Sequence, residues 1–205
     1  GKLLCNTQTA CVLTLFLELC EDKEAVTQQL LSIINEYGHM TTGFVGTPYL
    51  LHALSGNGQT KTAYDLLLRE EYPSWLFSVT QGATTIWEHW DGIKPDGSMW
   101  SADMNSFNHY AYGAVGDWMY GNMAGINTDE NAPGFKHIIF KPETDERIDF
   151  VEASIDTAYG EVKSEWKREN GKILYTFTVP TGAAATAYVG EEVYALGAGV
   201  HKFES

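Results

Sequence analysis

The hydrophobic period of this chain changes once along its length, and that change governs what it can fold into. Val26, Leu30, Ile33, Ile34 and Tyr37 recur with the 3.6-residue period of a helix. Ile173, Tyr175, Phe177 and Val179 instead alternate with Leu174, Thr176 and Thr178, the period of a strand. The switch comes near Gly125, where polar Asn127–Gly134, with its Pro133-Gly134, reads as a linker. A chain of 205 residues can hold one or two domains. The expected class is therefore α+β and multidomain, with a helical domain over 1–126 and an antiparallel β-sandwich over 127–205.

In the first part, a helix is expected from about Leu4 to Cys20. Its positions Ala10–Leu19 are apolar on nearly every face, so it needs neighbours on several sides. A second is expected over Lys23–Tyr37. A third starts at Thr47-Pro48, with Thr47 as cap, and a fourth runs from Gln59 to Glu71 before Pro73. Short loops between them predict antiparallel helix hairpins. A fifth, Ser106–Met123, is suggested by a stripe of Phe107, Tyr110, Ala111, Ala114, Val115, Trp118 and Met119, although Gly113, Gly116 and Gly121 weaken it. In the second part, strands are expected at Lys136–Lys141, Glu161–Lys167, Ile173–Val179, Ala185–Val189 and Val200–Phe203. Asn170-Gly171 supplies a hairpin turn.

Between the fourth and fifth helices the pattern is irregular, and there the chemistry gathers. Trp87, Trp90 and Trp100 are interleaved with Glu88, Asp91, Asp96 and Asp103. Aromatic faces stack on the C–H faces of sugars, and carboxylates accept from hydroxyls or move protons. Each residue also has a structural reading. A tryptophan is commonly core, an exposed aspartate commonly solvated, and a histidine such as His109 can donate to a backbone carbonyl.

Charge and motif content exclude other classes. The net charge of −14 opposes binding to nucleic acid or to anionic membrane surfaces, which require a basic face. The apolar run Ala10–Cys20 is too short to span a bilayer and carries Glu18. Asn6–Thr9 interrupts any signal-peptide pattern, and the opening within a helical pattern suggests a truncated chain. Cys5, Cys11 and Cys20 match no zinc spacing and are expected as buried free thiols. No His/Asp/Glu cluster has metal-ligand spacing, and no G-x-S-x-G provides a serine nucleophile.

The runs TTGFVGTPYLLHAL, TTIWEHWDG and SFNHYAYGAVGDWMY, between about Thr41 and Asn122, resemble the C-terminal part of the α-L-rhamnosidases of glycoside hydrolase family 78. That resemblance implies the C-terminal part of an (α/α)6 barrel followed by an antiparallel β-sandwich. It also implies an inverting hydrolase acting on a rhamnose-containing glycoside or polysaccharide, with no cofactor. In the family's W-E-x-W-D motif the glutamate is the general base, which falls on Glu88. The family's sugar-contacting histidine falls on His109, and the separation of 21 residues fits the pattern. Trp87 and Trp90 are then candidates for the apolar wall facing the sugar's methyl group, or for barrel core. Asp91 either orients a loop or contacts sugar, and His89 sits at the rim.

The family's general acid lies in an upstream acidic motif that nothing here matches. The chain therefore reads as a piece of the enzyme, inactive alone, that self-associates or packs on the missing part of the barrel. Two other readings stand beside this one: an (α/α)-barrel glycosidase or lyase for another sugar, and an inactive or sugar-binding fragment.

Overall fold

The helices at Gln8–Phe16, Lys23–Tyr37 and Trp75–Thr80 each open on a capping side chain, in a computed structural model that describes all residues, 1–205. The chain divides into two compact units, Gly1–Val115 and Gly116–Ser205.

In the first unit, α1 spans Gln8–Phe16, with the Thr7 hydroxyl accepting from the Ala10 N–H. It is shorter than the expected Leu4–Cys20, because Thr7 opens it late and Glu18 adopts φ 55° just past its end. Cys11, Val12 and Leu15 are buried against α2 (Lys23–Tyr37) and α3 (Thr47–Gly56). Of the positions 10–19 expected to need neighbours on several sides, the large apolar ones left exposed are Phe16, Leu17 and Leu19 at the C-terminal end. Helix α2 matches the sequence reading and is capped by the Asp22 carboxylate, which accepts from Ala25 N–H at 3.0 Å. Helix α3 is capped by Gly46 rather than Thr47, whose hydroxyl is buried and shares a 2.8 Å hydrogen bond with that of Thr42. Then follow α4 (Thr60–Leu67) and α5 (Trp75–Thr80), the latter inside the stretch read as irregular. Ser74 caps α5, its Oγ accepting from Phe77 N–H at 3.0 Å.

The long fifth helix does not form. Only Ala111–Met123 is helical, as a 3₁₀ turn at Ala111–Ala114, one α-turn at Val115–Trp118 (α6) and a π-turn at Met119–Met123. Residues 106–109 are instead tied to the main chain of 86–88, as described below, and cannot enter a helix. The cysteines also differ from expectation. Cys11 is buried, Cys20 half-buried and Cys5 exposed, all as free thiols.

The second unit is two four-stranded sheets. One has the order β1 (Ile126–Thr128), β2 (His137–Phe140), β6 (Ala184–Val189), β7 (Glu192–Leu196). The other has β3 (Phe150–Thr157), β4 (Gly160–Glu169), β5 (Lys172–Val179), β8 (Gly199–Glu204). All pairings are antiparallel except β2–β6, which is parallel, so the sandwich is not wholly antiparallel as expected. The β4–β5 hairpin turns where the sequence places it, with Asn170 at φ 53° and Gly171 at φ 79°. Strands β1, β3 and β7 were absent from the sequence reading, and part of the supposed linker is β1 and its turn. Phe140 and Phe177 stack at 4.5 Å between the two sheets, beside buried Val162, Trp166 and Ala187. Trp166 Nε1–H donates to Met123 O at 2.8 Å, and Ser164 Oγ–H to Ala124 O at 2.6 Å.

One turn of this unit is pinned by charge. Asp129 Oδ2 meets His137 Nδ1 at 2.8 Å, and Asp129 Oδ1 accepts from Asn131 N–H. The His137 hydrogen bond first, and the Asn131 N–H next, hold the Asp129 carboxyl below its ordinary pKa. A depressed folded pKa stabilises above the unfolded value of about 3.9, and the stabilisation disappears as pH falls through the folded value. Thermal melts of the protein and of Asp129→Asn should therefore differ by a constant margin at neutral pH, and that margin should shrink below pH about 4. A margin unchanged down to pH about 2 would show that the pair adds nothing through its charge.

Candidate active site

Two segments of the first unit lie side by side in opposite directions. Glu88 N–H donates to Ser106 O at 2.9 Å, and His109 N–H donates to Ile86 O at 2.8 Å. The Thr85 hydroxyl also donates to Phe107 O. These main-chain bonds bring the W-E-H-W-D and S-F-N-H-Y runs together across 21 residues of sequence. Ser106 N–H returns to Glu88 Oε2 at 3.1 Å, so one carboxylate oxygen is held by backbone. The Glu88 side chain is 20% exposed and its Oε1 lies 3.9 Å from His89 Nε2. The carboxylate is thus anchored and still reachable by water.

His109 is fixed by aromatic neighbours. Its ring is parallel to Phe44 at 4.8 Å and to Tyr110 at 5.5 Å. Its Nδ1 accepts from Ala111 N–H at 3.3 Å, which in the neutral ring leaves the proton on Nε2 as a donor. Phe44, Pro48, His109, Tyr110 and Ala111 line an open cavity of about 660 Å³. Glu88 is connected to this cavity's His109 through the paired main chains and does not itself line it.

The tryptophans divide between interior and surface. Trp87 is buried, edge-on to Phe107 at 5.2 Å, with Gly92 so close that an added Cβ would lie 3.1 Å from its ring. No face of Trp87 is open to a sugar, and its ring supports the Glu88 segment instead. Trp90 is half-buried, stacked on Tyr112 at 3.8 Å and edge-on to Trp75 at 5.3 Å. Its Nε1–H donates to Thr42 O at 3.4 Å, and Trp75 Nε1–H donates to Tyr112 O at 2.9 Å. Trp100 is exposed and lies flat on His89. Asp91 faces Tyr72 and Tyr112. Burial first, then Tyr72 and Asp91, push the Tyr112 hydroxyl up to about 12, so it stays a neutral phenol. Burial and Asp91 likewise raise Tyr72.

Phe44 and Tyr110 were missed as site residues, although both lie in quoted motifs, G-F-V-G-T-P-Y and F-N-H-Y. For Tyr110 its adjacency to His109 was the available signal, whereas nothing in the sequence joins Phe44 to His109. No group of three or more His, Cys, Asp or Glu side chains is arranged to hold a metal ion, and no helix is long and apolar enough to cross a membrane.

Comparison with known proteins gives one consistent result. Residues 1–123 match the family model described as the bacterial α-L-rhamnosidase 6 hairpin glycosidase domain, and residues 125–204 match the bacterial α-L-rhamnosidase C-terminal domain. An α-L-rhamnosidase of Streptomyces avermitilis is 35% identical over 99% of this chain, which covers 22% of that protein. One from Formosa agariphila is 42% identical over 87% of the chain and 19% of its own length. A crystal structure of a Streptomyces avermitilis α-L-rhamnosidase complexed with L-rhamnose superposes with a TM-score of 0.93 at 36% identity, covering all of this chain and 22% of that one. The chain spans about a fifth of the length of these curated relatives. With both units matched by models of one enzyme family, this chain belongs to the bacterial α-L-rhamnosidase family.

Proposed function

We propose that the protein releases terminal α-L-rhamnose from rhamnosides with inversion of configuration, and that Glu88 is its general base. The observation that carries this is the Glu88 carboxylate, with Oε2 held by Ser106 N–H and Oε1 free of any main-chain bond. The free oxygen removes a proton from water. The water oxygen then bonds to the anomeric carbon as the glycosidic C–O bond breaks, and an acid on the opposite face protonates the leaving oxygen. An inverting pair stands about 6.5–9.5 Å apart to admit that water. Since no motif within residues 1–205 resembles the family's acid, we place the acid outside them, and we expect the isolated chain to be inactive.

His109, held between Phe44 and Tyr110, offers its Nε2–H to a sugar hydroxyl. Those two rings, with Trp90, form the apolar wall, and Trp87 supports it from beneath. The helical part, 1–126, belongs to the barrel, and the sandwich, 127–205, is structural. Exposed Phe16, Leu17 and Leu19 mark where α1 packs on the rest of the barrel or on a second copy.

The test is the anomer first released from an aryl α-L-rhamnoside by the full-length protein, followed by proton NMR before mutarotation. β-L-Rhamnose is expected. An α-anomer first product would replace Glu88 as base by a nucleophile. Absence of rhamnoside cleavage together with turnover of another glycoside would move the substrate class.

A further inference from the structure

The two oxygens of the Glu88 carboxylate have different neighbours. Oε2 is bound to the Ser106 N–H. Oε1 has no hydrogen bond of that kind, and the polar atom beside it is His89 Nε2 at 3.9 Å. That separation is too long for a hydrogen bond, but it makes the imidazole edge the boundary on that side of the carboxylate. The last torsion of a glutamate is broad, so a carboxylate held at one oxygen can still swing the other.

His89 is itself held. Its ring lies on Trp100 with centroids 3.7 Å apart and planes 12° from parallel, so rotation of the imidazole would break the stack. Trp100 is positioned by a small hairpin. Its N–H donates to Gly92 O at 3.2 Å, Ile93 bridges to Met99, and Lys94 N–H donates to Ser98 O at 2.7 Å. The Asp96 carboxylate closes the tip, accepting from both the N–H and the hydroxyl of Ser98. Trp100 is 41% exposed, so burial alone does not explain an indole at this place. Its face is used on His89.

We infer, resting on Glu88 as the base, that His89 is a positioning residue. Clamped by Trp100, it keeps Oε1 aimed at the attacking water. The W-E-H-W-D run then contributes both the base and the side chain that aims it, and the Gly92–Trp100 hairpin exists to hold that side chain.

The experiment measures kcat and KM of the full-length protein on an aryl α-L-rhamnoside for His89→Ala, Trp100→Ala, Trp100→Phe, the double alanine variant and Glu88→Gln. Misplacement of a reacting group by about 1 Å costs up to about 10²-fold. His89→Ala is expected to lower kcat by about 10- to 100-fold, with KM changed by less than about threefold. Trp100→Ala should match it, Trp100→Phe should recover most of the loss, and the double variant should fall no further, because the two side chains act in one series. Trp100 is exposed, so its variants keep the question answerable if His89→Ala loses its cooperative melt. Unchanged kcat in His89→Ala beside a dead Glu88→Gln would overturn the inference and leave the base assignment standing. A rise in KM alone would make His89 a sugar-binding residue and also overturn it. Full activity in Glu88→Gln would instead remove the base reading on which the inference rests.

Discussion

Glu88→Gln in the full-length protein is expected to lower kcat by about 10²–10⁴-fold, the usual worth of positioned acid–base help. The substitution keeps the side chain's shape. The amide oxygen can still accept from Ser106 N–H, and the main-chain bond between Glu88 and Ser106 is untouched. Lost is the carboxylate proposed above to take the proton from water, while the cavity around His109 is formed by other residues. The loss should therefore fall on kcat with KM nearly constant, the sign of an interaction made only in the transition state. Steady-state kinetics on an aryl α-L-rhamnoside measure it directly. Turnover within about threefold of the parent would take the role of base from Glu88.

The second large effect concerns stability. Trp166→Ala should destabilise the sandwich by about 3–5 kcal/mol, the range for emptying an aromatic site in a packed core. Trp166 is 1% exposed, among Val162, Phe177 and Phe140 of both sheets. Its Nε1–H is also the partner of Met123 O at 2.8 Å, and removing it leaves a buried acceptor unmet, worth about 1–3 kcal/mol by itself. Against a net domain stability of about 5–15 kcal/mol this is a large share. Trp166→Phe, which keeps most of the ring and loses the donor, should fall between the two. Denaturant melts of the three proteins test it, and a loss below about 1 kcal/mol for the alanine variant would show that the core closes over the gap.

Residues whose structure depends on near neighbours were legible. Helix α2 has its stripe and its Gly38 stop within one short run, and the structure places it at Lys23–Tyr37, with Asp22 as a cap that the sequence reading did not name. Asn170-Gly171 makes the hairpin because both residues tolerate positive φ. The family resemblance, carried by short motifs, pointed to α-L-rhamnosidases, and the domain matches over 1–123 and 125–204 agree. Strand β3 was legible and overlooked, since Val151, Ala153 and Ile155 alternate with Glu152, Ser154 and Asp156.

The sequence by itself determined the switch from helix to strand, the Asn170-Gly171 turn, and which motif carries a glutamate and a histidine at family spacing. Tertiary structure decided everything that depends on a partner distant in the chain. Phe107, Tyr110 and Ala111 carry a helical stripe, yet the Ser106 and Phe107 carbonyls, which a helix would need as acceptors for its second turn, accept instead from Glu88 N–H and the Thr85 hydroxyl. Trp87 and Trp100 look alike in sequence, but Phe107 and Gly92 cover one while the other lies exposed on His89. The β2–β6 pair is parallel because strands made far apart meet in one sheet, and period alone carries no direction. Phe44 reaches His109 across 65 residues of chain, 109 less 44. Hydrophobic period reports which face of an element is buried, whereas the identity of what buries it is set only when the chain closes on itself.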